Sequence, residues 1–286
     1  MNNKIKIIAC TMIFLVGLSI MLYPSISNFM HQRAQVGVID DYREKAEKMS
    51  KGQLDELKDE ARKYNARLAA AINGSDQSAA APAADNGYFK LLNINDDVMA
   101  YISIPLCDIN LPIRHGCDEE VLQQSAGHLP GSSLPIGGES THAVITAHRG
   151  LPSAKLFTNL DALKLGDQFY IHVLDEILAY EVDQIKVVLP DDTRDLRIIE
   201  GEDYVTLVTC TPYGINTHRL LVRGKRTEYI PELEEAQTAE GKRKQVKTFI
   251  FYLLGFVAAV LVIVLIYIIK KKLDKNKKIG ENNKVN

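Results

Sequence analysis

Apolar and polar residues follow three different patterns along this chain. Residues 7–23 and 249–269 carry no charge, and each is long enough to cross the roughly 30 Å apolar core of a bilayer. Residues 24–72 are rich in Ala, Glu, Lys and Arg, whereas short β-branched runs punctuated by Pro, Gly and Asp begin at residue 88. The chain is therefore predicted to hold two transmembrane helices, an N-terminal helical stalk and a β-rich domain.

Basic residues flank the outer end of each apolar segment. Lys4 and Lys6 precede the first, and the basic residues 270–286 follow the second. The excess of positive charge predicts that residues 1–6 and 270–286 are cytoplasmic and that residues 24–247 lie outside the cell. No small-residue cleavage site follows residue 23, which favours an uncleaved anchor over a signal peptide. Residues 229–245 lack an LPxTG-like motif, so the second segment does not resemble a cell-wall sorting signal.

The segment between the first anchor and the β-rich domain has two parts. Ser27 or Asn28 is predicted to cap a long helix that continues to residue 72. The helix has few large apolar residues, which predicts a solvated stalk packed on one side. Residues 73–87, NGSDQSAAAPAADNG, form a flexible low-complexity segment that cannot bury enough apolar surface to order itself.

The β-rich region contains six to eight runs with strand character. Short connecting helices are predicted in EEVLQQ and SAKLFTNLDAL. The absence of regularly alternating helices favours a closed antiparallel or mixed barrel. The runs are MAYISIP, INLPI, HAVITAH, DQFYIHVL, ILAYEVDQIKVVL, YVTLVTC and HRLLVRGKR.

Composition adds few constraints. The 286 residues have a net charge of −2, so no nucleic-acid partner is predicted, and no metal, cofactor or phosphate-loop pattern is present. Of the four cysteines, Cys10 lies in the first apolar segment and Cys210 ends a strand. Cys107 and Cys117 remain as a possible disulfide pair, which their spacing does not decide.

Cys210 is the first candidate for chemistry. An isolated cysteine in a strand is usually a small core residue. Here Thr211-Pro212-Tyr213-Gly214 breaks the strand directly after the thiol, which predicts a position at the rim of the barrel. A rim thiol is reactive where a neighbour favours its thiolate.

Arg219 and His148 are the candidate partners. Arg219 opens the next run, and a guanidinium beside the thiol could stabilise both a thiolate and the oxyanion of acyl transfer. His148 ends a β-branched run and could act as the general acid. His142, on the same run, is the second choice. The remaining histidines are weaker candidates: His31, His115, His128, His172 and His218.

Residues 141–174 and 206–226, with their TLVTC motif and downstream arginine, resemble the class C, pilus-assembling sortases of Gram-positive bacteria. The resemblance covers roughly residues 88–229, with weaker similarity at residues 23–28. It implies an eight-stranded sortase-type β-barrel over residues 88–230, followed by a linker at residues 231–248. His148, Cys210 and Arg219 correspond to the catalytic residues of that family.

The resemblance also implies an activity. Such enzymes cleave an LPxTG-like signal, hold the acyl fragment as a thioester on the cysteine and pass it to a lysine amine of a pilin subunit. The implied partners are pilins and membrane lipid, in a two-pass membrane protein whose catalytic domain is extracellular. Oligomeric state is not indicated.

One feature departs from the class. Its members usually carry a lid with an Asp-Pro-aromatic motif, whereas neither Pro nor an aromatic residue follows Asp76. The lid is therefore absent or altered, or Tyr88 and Phe89 take part of its role. A wall-anchoring sortase, a hydrolytic cysteine peptidase and a non-catalytic surface module remain as alternative functions.

Overall fold

The computed structural model describes residues 3–73 and 87–244, together with residues 246, 247, 250, 251 and 254–256. The chain divides into two units, Met1–Glu235 and Ala236–Asn286. The first unit contains two long helices and a β-barrel. In the second, the described residues are helical.

Eight strands close into one barrel in the order β1-β2-β3-β4-β7-β8-β6-β5. Two neighbouring pairs, β2 with β3 and β4 with β7, run parallel, and the others are antiparallel. The predicted closed, mixed barrel is confirmed. The strands are β1 (Val98–Ile104), β2 (Ile109–His115), β3 (Ala126–His128), β4 (Thr141–Thr146), β5 (Gln168–Val173), β6 (Glu176–Val188), β7 (Asp203–Thr211) and β8 (His218–Thr227).

The three-residue β3 was not predicted. Its Ala-Gly-His sequence lacks the β-branched residues that mark a strand. A Cβ atom on Gly127 would lie 2.3 Å from the carbonyl oxygen of Gly116. Only glycine allows this close backbone approach, so β3 depends on backbone fit rather than on side-chain pattern.

The connecting helices agree only in part with the prediction. A short helix, α3 (Glu119–Leu122), lies in EEVLQQ. In SAKLFTNLDAL the chain forms only a 3₁₀ turn at Leu160–Ala162. Leu156 has a positive φ of 39°, which interrupts a right-handed helix, and it is buried together with Phe157 and Leu160.

The N-terminal region consists of α1 (Asn3–Lys48) and α2 (Lys51–Asn73). The predicted cap at Ser27 or Asn28 is wrong, because α1 continues through both residues. Their side chains instead bind the connection between β4 and β5: the Ser27 hydroxyl donates to the carbonyl oxygen of Ser153 at 3.2 Å, and Asn28 Oδ1 accepts from the Lys155 amide at 2.9 Å.

The helix break lies at Ser50, which caps α2. The Ser50 amide donates to Gln53 Oε1 at 2.9 Å, and the Gln53 amide donates to Ser50 Oγ at 3.4 Å. This reciprocal pair is a capping box. The Ser-x-x-Gln spacing is visible in the sequence and could have located the start of α2.

One face of α2 packs against the barrel, as its apolar pattern predicts. Leu54 and Ala61 belong to the same buried cluster as the barrel core. Polar residues contribute as well: Lys58 Nζ lies 2.5 Å from Asp175 and 2.7 Å from Glu176, in the turn between β5 and β6. The helical region is thus a packed layer of the domain.

From Phe14 to Tyr23 the apolar part of α1 is largely exposed. Within the described residues, one helix, from Phe14 to Lys48, is long and apolar enough to cross a membrane. The predicted second helix at residues 249–269 and the tail at 270–286 lie almost wholly outside the described residues. The two-pass arrangement therefore stays a prediction. Residues 74–86 of the predicted lid-like segment also lie outside the described residues.

Asn65 provides a test of the docking of α2. Its side chain is buried, accepts from the Leu134 amide at 2.7 Å and donates to the Leu134 carbonyl oxygen at 3.0 Å. We expect Asn65→Ala to lower the free energy of unfolding by about 2 kcal/mol, because it leaves buried backbone groups without partners. Urea denaturation measures the change. Lys63→Ala, on the exposed face of α2, is the control, and equal stability of the two variants would contradict the assignment.

Candidate active site

Cys210 lies on the outer face of the barrel wall. Along β7, Val205 and Leu207 belong to the buried core, and side chains alternate between the two faces of a strand. Thr206, Val208 and Cys210 therefore face outward. Cys210 is only half-buried, so it is not the core residue that an isolated strand cysteine usually is.

Arg219 is the direct partner of Cys210 across the β7–β8 pair. Residues directly opposite in an antiparallel pair project from the same face of the sheet. The guanidinium and the thiol therefore share the outer face. Arg219 Nη1 donates to the carbonyl oxygens of Asn216 at 3.3 Å and His218 at 3.1 Å, which holds the arginine at the start of β8.

His148 follows the strand that pairs with β7 on the side opposite β8. The parallel pairing of β4 with β7 runs from Thr141 with Asp203 to Thr146 with Val208, and the Ala147 amide donates to the Val208 carbonyl oxygen at 3.2 Å. His148 therefore leaves the wall at the edge where β7 ends and β8 begins. The structure thus brings the chain segments that carry the three predicted residues to one edge of the wall.

A buried hydrogen bond joins the residues before His148 and Cys210. Thr209 is 1% exposed, and its hydroxyl donates to the carbonyl oxygen of Ala147 at 2.8 Å. The Thr209 hydroxyl is committed to the backbone, so its contribution is to hold β7 to the residue that follows β4, beneath the site.

The loops after β4 and β7 also contact each other. Gly150 has a φ of +82°, and a Cβ atom there would lie 3.2 Å from the Tyr213 ring. The neighbouring Arg149 guanidinium lies 5.9 Å from the centre of that ring and 3.4 Å from Thr211 Oγ1, and it forms an ion pair with Asp161. Arg149 thereby links the loop that carries His148 to the end of the strand that carries Cys210.

Comparisons with known proteins identify the family of this chain. A sortase-domain family model matches residues 102–227. Sortase C1 of GBS Pilus Island 1 is 47% identical, with a TM-score of 0.62, over 69% of this chain and 94% of that chain. Sortase C of Clostridium perfringens, solved with the C-terminal cell wall sorting motif, is 47% identical, with a TM-score of 0.60, over 68% of this chain and 100% of that chain. The chain belongs to the sortase family.

More distant relatives carry other sortase names. Sortase A of Streptococcus agalactiae is 31% identical over 46% of this chain and 53% of its own length. Sortase D of Bacillus subtilis is 29% identical over 44% of this chain and 62% of its own length. This sortase thus spans between about half and two thirds of the curated relatives that it matches.

His142, the second-choice acid, lies near the start of β4, opposite Tyr204 of β7. It precedes His148 by six residues, which corresponds to roughly 20 Å of extended chain. Its Nδ1 donates to the Arg197 carbonyl oxygen at 2.8 Å, and its Nε2 accepts from Thr206 Oγ1 at 2.7 Å. Burial lowers the pKa of His142, so this imidazole is a neutral structural group.

The other weaker histidines are also engaged elsewhere. Burial lowers the pKa of His128 to about 4, and its Nε2 lies 2.8 Å from the Ser133 carbonyl oxygen. His172 stacks on Tyr101 with ring centres 4.3 Å apart. His218 pairs with Thr211 and directly precedes Arg219 on β8, so its side chain lies on the opposite face of the strand.

The structure answers two points that the sequence left open. Cys107 and Cys117 are not joined in a disulfide. Tyr88, considered for a lid role, is buried, and its hydroxyl lies 2.8 Å from His128 Nδ1. Its ring is therefore part of the core.

Two neighbours of the site were missed by sequence reasoning, Arg149 and Glu119. Arg149 follows His148 directly, yet its partners Asp161 and Thr211 become visible only in the fold. Glu119 Oε2 lies 3.3 Å from His148 Nε2, although 29 residues separate them in the chain. No local pattern could have paired them.

Thr209 provides a test of how the site is held. We expect Thr209→Val to lower the free energy of unfolding by about 1–3 kcal/mol, because the buried Ala147 carbonyl oxygen loses its partner. Thr209→Ser retains the hydroxyl and should keep more of the stability. Urea denaturation of both variants measures the difference, and a Val variant as stable as the Ser variant would show that the bond contributes nothing.

Proposed function

We propose that this sortase is a membrane-anchored cysteine transpeptidase that joins pilin subunits. The observation that carries the proposal is the pairing of Cys210 with Arg219 across β7 and β8, at the edge of the wall where β4 ends two residues before His148. A nucleophile between a proton donor and an oxyanion donor is suited to acyl transfer.

In the first step the Cys210 thiolate attacks the carbonyl carbon of the Thr-Gly bond in an LPxTG-like signal. Negative charge develops on the carbonyl oxygen, and the Arg219 guanidinium stabilises it. The carbon–nitrogen bond then breaks as protonated His148 donates its proton to the departing glycine amine. The products are a thioester on Cys210 and a free amino terminus on the released fragment.

In the second step a lysine amine of another pilin attacks the thioester carbonyl. His148, now neutral, accepts a proton from the attacking amine, and the thiolate leaves as the amide bond forms. The product is an isopeptide bond, and Cys210 and His148 return to their starting charges. No metal or redox cofactor takes part in this scheme.

The pilus assignment is supported by a difference in sequence identity between two groups of relatives. The sortase C1 structures of Streptococcus agalactiae and the sortase C structures of C. perfringens are 45–48% identical to this chain. The relatives named Sortase A or Sortase D are 27–31% identical. The second candidate, attachment of proteins to the cell wall, rests on that weaker similarity.

The proposed location is the cell membrane. The apolar start of α1 supplies one anchor, and residues 249–269 are proposed to supply the second. With both termini cytoplasmic, the barrel at residues 88–230 faces the outside, where sorting signals and pilins are exposed. Two anchors would hold the catalytic wall close to the membrane surface.

Thioester formation is the direct test of the nucleophile. The full-length chain in detergent micelles is incubated with an LPxTG-containing peptide and analysed by intact-mass spectrometry. We expect a mass increase equal to the acyl fragment, located on Cys210 and absent in Cys210→Ala. We also expect faster discharge when a pilin with an acceptor lysine is added than when a peptidoglycan-type amine is added. The opposite preference would favour the wall-anchoring function.

Substitution of the two flanking residues tests their roles. His148→Ala and Arg219→Ala should each reduce the rate of thioester formation by at least ~100-fold, the scale seen when an acid or an oxyanion donor is lost. Arg223→Ala is a matched control, since Arg223 lies on the same face of β8 but pairs with Asp183 at 2.7 Å. Near-normal turnover of Arg219→Ala would refute its role.

The pH dependence of the rate tests the charge pairing. A reaction that needs a thiolate and an imidazolium together requires one group to be deprotonated while the other stays protonated. The rate should therefore rise and then fall with pH in a bell-shaped profile. Initial rates of thioester formation between pH 5 and pH 10 measure the profile, and a rate that climbs throughout this range would contradict the pairing.

A further inference from the structure

The Glu119 carboxylate contacts the candidate acid, His148. Its Oε2 atom lies 3.3 Å from His148 Nε2. The two side chains differ in exposure, at 68% for Glu119 and 25% for His148. The carboxylate thus reaches from the surface to the outer side of an imidazole that is largely covered.

A second contact fixes the direction of this carboxylate. Gln123, four residues along, donates from Nε2 to Glu119 Oε1 at 3.1 Å. One carboxylate oxygen is therefore held by Gln123, and the other is turned toward His148. The hydrogen bond from Gln123 and, to a lesser extent, the charge of His148 lower the pKa of Glu119. The carboxylate is therefore ionised at neutral pH.

The position of α3 explains why a residue so distant in sequence reaches the site. This short helix connects β2 to β3, and β3 pairs with β4 through Gly127 with Thr146 and His128 with Ile145. Glu119 therefore lies beside the end of β4 that leads to His148. The carboxylate approaches from the side away from β7, where Cys210 and Arg219 lie.

We propose that Glu119 is the positioning residue of His148, holding Nε2 and favouring the imidazolium while the other ring nitrogen, Nδ1, exchanges its proton with substrate. The inference rests on the proposed function, in which His148 is the acid. Glu119 is the charged side chain in contact with the His148 ring, at 3.3 Å. The other charged or titratable groups on the neighbouring elements are Glu120 on α3, Arg149 on the same loop, Cys210 on β7 and Arg219 on β8.

The alternative is a surface ion pair without influence on the reaction. Exposed pairs add little to stability, so the stability of a variant would not distinguish the two. The proton affinity of His148 does distinguish them, because a carboxylate at hydrogen-bond distance favours the charged ring. Glu120, the next residue on α3 and also exposed, offers a control with the same charge change.

The experiment is an NMR titration of the full-length chain in detergent micelles, labelled at histidine Cε1. His148→Asn identifies the signal of His148. Relative to the unsubstituted chain, we expect Glu119→Gln to lower the titration midpoint of His148 by about 0.2–0.7 pH unit, the scale of an exposed ion pair. Glu120→Gln should shift it less, and Glu119→Asp should restore part of the difference. Equal midpoints in the two Gln variants would overturn the proposal.

Thioester formation is measured on the same variants. Glu119→Gln should slow it by about two- to fivefold and move the limb of the pH profile that belongs to His148 toward lower pH. If the midpoint of His148 moves but no variant forms a thioester, the pairing holds and the proposed function fails. If the unsubstituted chain forms the thioester and Glu119→Gln leaves both the midpoint and the profile unchanged, the positioning role fails alone.

Discussion

The site depends on the way β7 pairs with its two neighbours. Because β4 and β7 are parallel, their carboxyl ends meet at the same edge of the wall, and because β8 is antiparallel to β7, its first residues start there. A histidine just after β4, a cysteine near the end of β7 and an arginine near the start of β8 are then brought to the same edge. The proposed chemistry thus depends on strand direction and register, before any side-chain contact is considered.

Contacts around the site stabilise this arrangement of β4, β7 and β8. Thr209 fixes β7 to the residue before His148, and Tyr213 fits against Gly150. Helix α1 supports the same region from the N-terminal side, because Ser27 and Asn28 bind the connection that follows His148. The helix also reaches the segment after α3, where His31 Nε2 lies 3.0 Å from the Gln124 carbonyl oxygen. The proposed membrane anchor is therefore continuous with the element that braces both connections around His148.

The sequence predicts those parts of this arrangement that are encoded locally. Seven strands carry β-branched or apolar runs. Pro212 and Gly214, between Cys210 and Arg219, mark the turn that joins β7 to β8. The misses have other causes. β3 depends on backbone fit at Gly127, and Glu119 meets His148 only because the barrel brings β3 beside β4. Ser27 and Asn28 look like helix caps, but tertiary contacts use their side chains instead.

The three cysteines of the barrel region show why position decides the chemistry of a thiol. Cys107 is buried in the core, where it packs as a small apolar residue. Burial, with a further contribution from Asp118, raises the pKa of Cys117 to about 12, which keeps that thiol protonated and weakly nucleophilic at neutral pH. Cys210 lies outside the core and is paired across the strand with a guanidinium rather than set beside a carboxylate. The same side chain is therefore a packing residue at Cys107, a protonated thiol at Cys117 and a candidate nucleophile at Cys210, and the difference lies in the burial and the neighbours of each thiol.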